Sequence, residues 1–339
     1  MSGSRHADAA VVTASGGPSD LRARRDVPSR AFHGASLGSA LLILVTLAAV
    51  AAFLLTEAWP ALTASPDELA RAVAWIKPEA GEALFQIIGY LVFGTVLVSA
   101  MALLIATPLS VGIALFISHF APRRLAAGLG YLVDLLAAIP SVVYGLWGAM
   151  AVLPRLAPVY AWLAEHLGWI PLFAPDPATG TVSPTGRVAL SAAIVLAIMV
   201  IPIITAVSRE VFLQTPTLHI EAALALGATR WEMIRMAVLP FGRSGVVGAT
   251  MLGLGRALGE TMAVYMIISG GLTLSWGVLQ AGSHNTIASY IASQFPEANA
   301  MGVSALIAMG LALFIITLAV NMLARWIVSR RAAFSGANG

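Results

Sequence analysis

The sequence of 339 residues contains no cysteine, which removes disulfides and thiolate metal sites and leaves the redox compartment open. It contains a single lysine, Lys77, in the segment WIKPEAG. A Walker A loop needs a lysine directly after its second glycine to reach nucleotide phosphates. Lys77 follows Ile76, so the chain holds no P-loop ATPase, and ATP-driven work would have to come from a partner. Charge of either sign is scarce: 10% of residues are charged, against about 25% in soluble proteins. The six histidines (33, 119, 166, 219 and 284 after His6) are scattered and no HExxH occurs, so metal-assisted hydrolysis has no visible ligand set. No internal repeat is detectable.

What is abundant is apolar. Hydrophobic residues make up 59% of the chain, and mean hydropathy is +0.87. This composition predicts an all-α polytopic membrane protein of one domain. The pI near 9.6 reflects a net charge of only +3 and does not argue for nucleic acid. A membrane-crossing helix needs about 20 apolar residues. Six segments meet that, near 37–57, 86–118, 126–153, 188–207, 245–270 and 302–326. Pro108 is a natural bend in the over-long second segment; Pro140 and Pro202 interrupt the third and fourth. Residues 1–35, rich in Arg, Ser, Gly and Ala without apolar period, read as a disordered tail before an uncleaved anchor. A transmembrane domain would then occupy 36–332, with a short tail at 333–339.

Lysine and arginine in the connections set orientation. Five arginines of the N-terminal tail, Arg123 and Arg124, Arg209, Arg230, Arg235 and Arg243, and Arg325, Arg330 and Arg331 fall on one side. The other side has only Arg71, Lys77, Arg155 and Arg187. The bias places both termini and the 208–243 loop in the cytoplasm. The outer connections are then 58–85, the Pro-rich 154–187, and 271–301, whose TIASYIASQF could form a short interfacial or re-entrant helix.

The 208–243 loop has a defined local grammar. Glu221 to Leu226 are good helix formers, and Gly227 suits the position after a helix end, where positive φ is needed. Thr229-Arg230-Trp231-Glu232 has the capping-box form that starts a second helix. Pro240 is expected to end that helix before the fifth span.

Within the fifth span stand Arg256 and Glu260, at i and i+4 and so on one helical face. At 1.5 Å per residue Arg256 would lie roughly 16 Å deep, near the bilayer middle. A charge there costs about 2.5 kcal/mol or more, which an internal pair would reduce. The pair either fixes helix packing alone, or Arg256 meets an anion that Glu260 orients or releases; a guanidinium can bind two oxygens of an oxyanion together. Gly255-x-x-x-Gly259 permits close helix approach. Asp134, about eight residues into the third span, is either an interfacial carboxylate or a group that exchanges with Glu260 at Arg256. Pro140 breaks LLAAIPSVVYGLWG, and Ser141 and Tyr144 follow with one hydroxyl each. That segment is either a packed kink or a polar lining for a hydrated anion.

The loop spacing resembles the permease subunits of ATP-binding-cassette importers, with Glu221-Ala222-Ala223, Gly227, and Leu239-Pro240 at the distances of the E-A-A loop. Ala237 stands where that family usually has Ile. The resemblance implies a type I importer permease (MetI-like) fold and a loop that docks on an ATPase subunit. LLAAIPSVVYGLWG, GLGRALGETMAV and QFPEA resemble more narrowly the PstC type of the phosphate-specific importers, from about residue 85 to the end. Thr261 and the Met-Ala-Val after it favour that type over its PstA-type sister. The resemblance implies a heterodimer with a PstA-type permease, a PstB-type ATPase dimer that binds ATP and Mg, and an external PstS-type phosphate-binding protein. It also implies the bacterial inner membrane and no cofactor in this chain. The residues themselves are the ground for expecting Arg256, Glu260, Asp134, Ser141, Tyr144 and Thr261 along the path of the ion. Molybdate, sulfate and phosphonate are alternative oxyanions. A secondary anion transporter or channel would not need the loop pattern, and a membrane enzyme would need a nucleophile–base pair or metal ligands that are not visible.

Overall fold

The computed structural model describes residues 27–76, 83–177 and 179–335. Lys77 and residues 1–26 of the sequence-expected tail lie outside the described residues. The described residues are helical with no strand. Six helical stretches are long and apolar enough to cross a membrane: Phe32–Thr63, Leu84–Phe120, Ser141–Leu167, Ala189–Leu213, Arg230–Leu258 and Ala300–Trp326.

By its contacts the chain divides into Met1–Ala52 and Phe53–Gly339. The first unit contains most of helix α1 (Val27–Thr63), which begins inside the 1–35 stretch read as a tail. Two of its hydroxyls bond within the helix, Ser39 Oγ donating to Ala35 O and Thr46 Oγ1 to Leu42 O.

The second unit is built around α7 (Ala189–Leu213). Its apolar residues run round the whole helix, the pattern of a helix with neighbours on all sides. It packs against α3 (Leu84–Leu115) and α10 (Leu239–Leu258). Small residues permit close approach: a Cβ on Gly253 of α10 would come 2.6 Å from Val200 and 2.9 Å from Ile204. Proline kinks in α3 and α7 are stitched together. Ser110 Oγ, two residues after Pro108, donates to Ile201 O beside Pro202 at 3.2 Å, and Thr205 Oγ1 donates back to Ser110 O. Hydroxyls thus satisfy backbone near prolines that cannot donate.

Three boundaries differ from the sequence reading. The third apolar helix is not 126–153. Residues Arg123–Ala137 form a separate amphipathic helix, α4, and the chain restarts at Ser141 as α5 (Ser141–Trp147), passes through a π-turn (Gly148–Val152) and continues as α6 (Leu153–Leu167). Pro140 is the reason, since it disfavours helix at the residue before it. The fifth helix does not begin near 245, nor does Pro240 end the one before it. A π-turn at Ile234–Val238 joins α9 (Arg230–Met233) to α10, with Leu239 N–H donating to Ile234 O. That wider turn leaves room for the Pro240 ring, which would clash with the carbonyl four residues back in a regular helix. Finally, the helix ends at Leu258, and a separate short helix α11 follows (Met262–Ile267).

Residues 268–286 form an irregular segment tucked into the second unit, followed by α12 (Ile287–Gln294) where a short helix was expected and by α13 (Ala300–Ser335). Its backbone is tied to several helices. Ser269 N–H donates to Arg187 O, Leu190 N–H to Val278 O, and Val278 N–H to Leu172 O. Ile287 N–H, at the start of α12, donates to Thr95 Oγ1 of α3 at 3.0 Å. Val278 and Leu279 are fully buried. The Asn285 carbonyl lies directly against Gly94 of α3, where any Cβ would collide with it.

Gly94→Val is therefore expected to overpack this contact and destabilise the protein by about 1–3 kcal/mol. The apparent melting temperature of the purified protein in detergent should fall by several degrees. Gly89→Val, with no atom within 4 Å of its Cβ, serves as control. Equal melting temperatures for the two variants would show that the segment does not seat on α3.

Candidate functional site

Arg256 sits in the last turn of α10, half-buried, two residues from the helix end. It is thus not at the helix centre, where a continuous span from 245 would have put it. The C-terminal end carries the negative pole of the helix dipole and unpaired carbonyls, a favourable place for a cation. The expected i,i+4 pair with Glu260 is absent among the described residues, because the helix stops at Leu258 and Gly259 leads the chain out of it. Glu260 is buried and faces the other way along the chain. Its Oε1 accepts the N–H of Ala263 at 3.2 Å, one of the orphan amides in the first turn of α11. Thr261 Oγ1 donates to Gly259 O at 3.2 Å. Both side chains hold the break, and no ion pair occupies the Arg256 guanidinium among the described residues.

A second break faces the first. Pro140 caps α5, and the Tyr144 hydroxyl donates at 2.9 Å to Leu136 O, a carbonyl at the end of α4 that also accepts the Ile139 N–H. Ser141 opens α5 and is half-buried. α5 packs on α11 at close range: a Cβ on Gly145 would come 2.7 Å from Ala263 Cα. The structure thus sets α11, which follows the Glu260–Thr261 break, against α5, which follows the Pro140 break and carries Tyr144, while Arg256 stands in the last turn before Gly259.

Asp134 does not join them. Its carboxylate, about half exposed, lies 3.8 Å from Nη2 of Arg209, which also contacts Glu210 at 2.8 Å. The Arg209 guanidinium rests on Gly130, where a Cβ would overlap it. In this conformation Asp134 ties α4 to α7 rather than approaching Arg256. Sequence reading counted Arg209 only as a loop cation. The available signal was Gly130, one turn before Asp134 on the same helix face.

The small-xxx-small spacing also resolves differently. Gly253 packs against α7, whereas a Cβ on Gly248 or Gly255 would meet nothing within 4 Å and one on Gly259 only Gly255 O at 3.7 Å. Gly255 and Gly259 serve no close contact within this chain.

The loop from 214 to 238 lies at the other end of α7. Helix α8 (Thr217–Ala225) ends in two bonds that satisfy its last carbonyls, Ala228 N–H to Ala223 O at 3.2 Å and Gly227 N–H to Leu224 O at 3.0 Å. Gly227 has φ +83°, which L side chains rarely adopt. Thr229 caps α9, with its hydroxyl accepting from Glu232 N and Glu232 accepting from Thr229 N at 2.8 Å. Met233, Ile234 and Val238 anchor the loop on Phe212, and Ala223 packs against the same cluster. Glu221, Ala222 and Gly227 are exposed, as is Pro240, while Leu239 is half-buried. Leu226 and Trp231 are exposed as well, at 90% and 59%. The result is a rigid, anchored turn presenting apolar and acidic groups outward.

Opposite this loop lies a cavity of about 1200 Å³ between the π-turn after α5, α11, the 268–273 strand of loop and α12. Arg187, just before α7, is on its wall, and sequence reading had treated it only as an outer charge.

A model of the family described as "Binding-protein-dependent transport system inner membrane component" matches residues 106–333. The chain is 45% identical over 310 residues to the phosphate transport system permease protein PstC 2 of Mycobacterium bovis, covering 90% of this chain and 93% of that one. It is 48% identical over 240 residues to the PstC permease of Mycobacterium leprae (70% and 73% covered) and 37% over 314 residues to that of Mesorhizobium japonicum (90% and 91%). Among solved structures, an inward-facing MetNI methionine transporter covers 71% of this chain and 95% of its own with TM-score 0.50 at 18% identity, a likeness of fold. The match over two thirds of the sequence and the close relatives together establish that the chain belongs to the family of inner membrane components of binding-protein-dependent transport systems.

Proposed function

We propose that the chain is the PstC-type permease of an ATP-driven phosphate importer, passing the ion from an external binding protein to the cytoplasm by alternating access. The observation that carries this reading is the 45% identity to a phosphate permease over 90% of the chain. The site geometry agrees with it: a half-buried guanidinium without a carboxylate partner, held at a break between two helices, suits a transient oxyanion. Glu260 acts here as the group that shapes the break rather than as the counter-ion, and Tyr144, Ser141 and Thr261 border it. Asp134 contributes by fixing α4 to α7 through Arg209.

The remaining parts follow the same reading. Both termini and the Glu221–Pro240 loop face the cytoplasm, where the turn at Gly227 docks on a PstB-type ATPase that binds ATP and Mg. Leu226 and Trp231 add apolar area to that contact. A PstA-type permease completes the membrane pair, and a PstS-type protein delivers phosphate from outside.

Two substitutions test this. Arg256→Ala should lower phosphate uptake at least tenfold, the size of a lost charge-assisted contact, while the complex still assembles; Arg256→Lys should retain part of the rate. Uptake at the normal rate in the Ala variant would remove Arg256 from the path. Gly227→Val forces a β-branched residue to positive φ at a cost of about 1–2 kcal/mol. It should reduce the ATPase subunit recovered with the permease and the uptake that depends on it. Full recovery with coupled ATP hydrolysis would mean that the turn is not the docking element.

A further inference from the structure

The outer cavity has a composition that the break at Arg256 does not explain. Among the described residues its only charged wall residue is Arg187, and none of them places a carboxylate on the wall. The guanidinium is anchored by one donor, Nη2 to Ile268 O at 3.2 Å, and the Arg187 carbonyl takes the N–H of Ser269. The other guanidinium donors have no partner among the described residues. Asn285, also on the wall, accepts Thr286 N–H on its Oδ1 at 2.9 Å, which directs its NH2 donors elsewhere, toward Gly270. Ser289 on the same wall is 1% exposed, and its hydroxyl is buried without a hydrogen-bond partner. Buried hydroxyls are almost always satisfied, so an unpartnered one beside a cavity marks a place for water or a ligand.

The cavity is connected to Arg256 by two helices in contact. Leu146 and Ala149, at and beyond the end of α5, and Tyr265 and Met266 on α11 line it. The start of α5 carries Ser141, with Tyr144 at its middle, and the start of α11 follows the Glu260–Thr261 break after Arg256. α11 has six residues, so the two places are separated by on the order of 9 Å of helix. At about 30 Å³ per water, the cavity accommodates on the order of 40 waters. It suits an ion that retains hydration, not a tight pocket.

We propose that Arg187, with Ser289 and Asn285, forms an outer way station that receives the oxyanion before Arg256 does. This rests on the phosphate-permease reading and adds a second contact to it. A cation that shares its cavity with hydroxyl and amide donors, in a hydrated space whose described lining holds no acid, attracts a small tetrahedral oxyanion and holds it weakly enough to pass on.

The test uses the complete transporter, purified with all its subunits and placed in proteoliposomes with phosphate-loaded binding protein. Initial uptake of radiolabelled phosphate and ATP hydrolysis are measured together, and the phosphate moved per ATP is compared. Arg187→Ala should lower this ratio about tenfold, the size of one lost charge-assisted contact. Arg187→Lys should recover most of it, and Ser289→Ala should lower it a few-fold. A merely structural role for Arg187 would lower uptake and hydrolysis in proportion. An unchanged ratio in Arg187→Ala, whether both rates hold or both fall, overturns the way station while leaving the permease reading intact. Absence of phosphate uptake by the unmodified transporter overturns the permease reading itself.

Discussion

Backbone groups that cannot find water must find each other, and this constraint organises the whole second unit. In an apolar surround an unpartnered N–H or C=O costs several kcal/mol, so helices dominate and every interruption needs a substitute partner. Three interruptions here show one. The Tyr144 hydroxyl donates to a carbonyl at the α4–α5 break, and the Glu260 carboxylate closes an amide left by the α10–α11 break. Thr95 of α3 takes the N–H that begins α12. The polar side chains in the membrane helices are therefore largely structural, and they are what makes irregular backbone possible at the places a solute could pass.

That division of labour changes how the intramembrane charges are understood. Arg256 and Glu260 in the sequence look like a pair that neutralises itself. In the structure Glu260 serves the backbone and Arg256 is left to the end of its own helix. The two breaks are also coupled mechanically. Gly145 lets α5 come close to the backbone and side chain of Ala263 and to the Met266 sulfur on α11, so a shift of either helix moves the other. Asp134–Arg209 is a second tie, between α4 and α7, on the half of the third segment before Pro140.

Much of this was legible in the sequence because it is encoded locally. Six apolar runs, the break at Pro140, the turn at Gly227 and the capping box at Thr229 each follow from a few adjacent residues. What escaped was encoded by contacts. Pro240 usually ends a helix, but a π-turn seated on Phe212 through Ile234 and Val238 lets the helix pass it. Gly259 gives no local sign of ending a helix, since glycine is ordinary in membrane helices. Arg187 gained its setting only when residues from Trp75 to Gln294 closed around one cavity. The GxxxG spacing misled for the same reason: of those glycines in α10, Gly253 meets a neighbour in this chain and Gly255 does not.

The unpaired Arg256 has an energetic consequence. A guanidinium at a membrane helix centre costs about 2.5–3.5 kcal/mol on insertion scales. A helix C-terminus returns about 0.3–1 kcal/mol, and up to about 2 where partly buried. At the end of α10 the dipole offsets part of such a cost, and no carboxylate among the described residues offsets the rest. An oxyanion entering there would relieve that residue of strain and so would be attracted without a specialised pocket. Had Glu260 been free to pair with Arg256, that attraction would have been cancelled in advance. By capping α11, the carboxylate holds the break with one hydrogen bond and does not serve the guanidinium as counter-ion, and this links the shape of the backbone to the charge left at the end of α10.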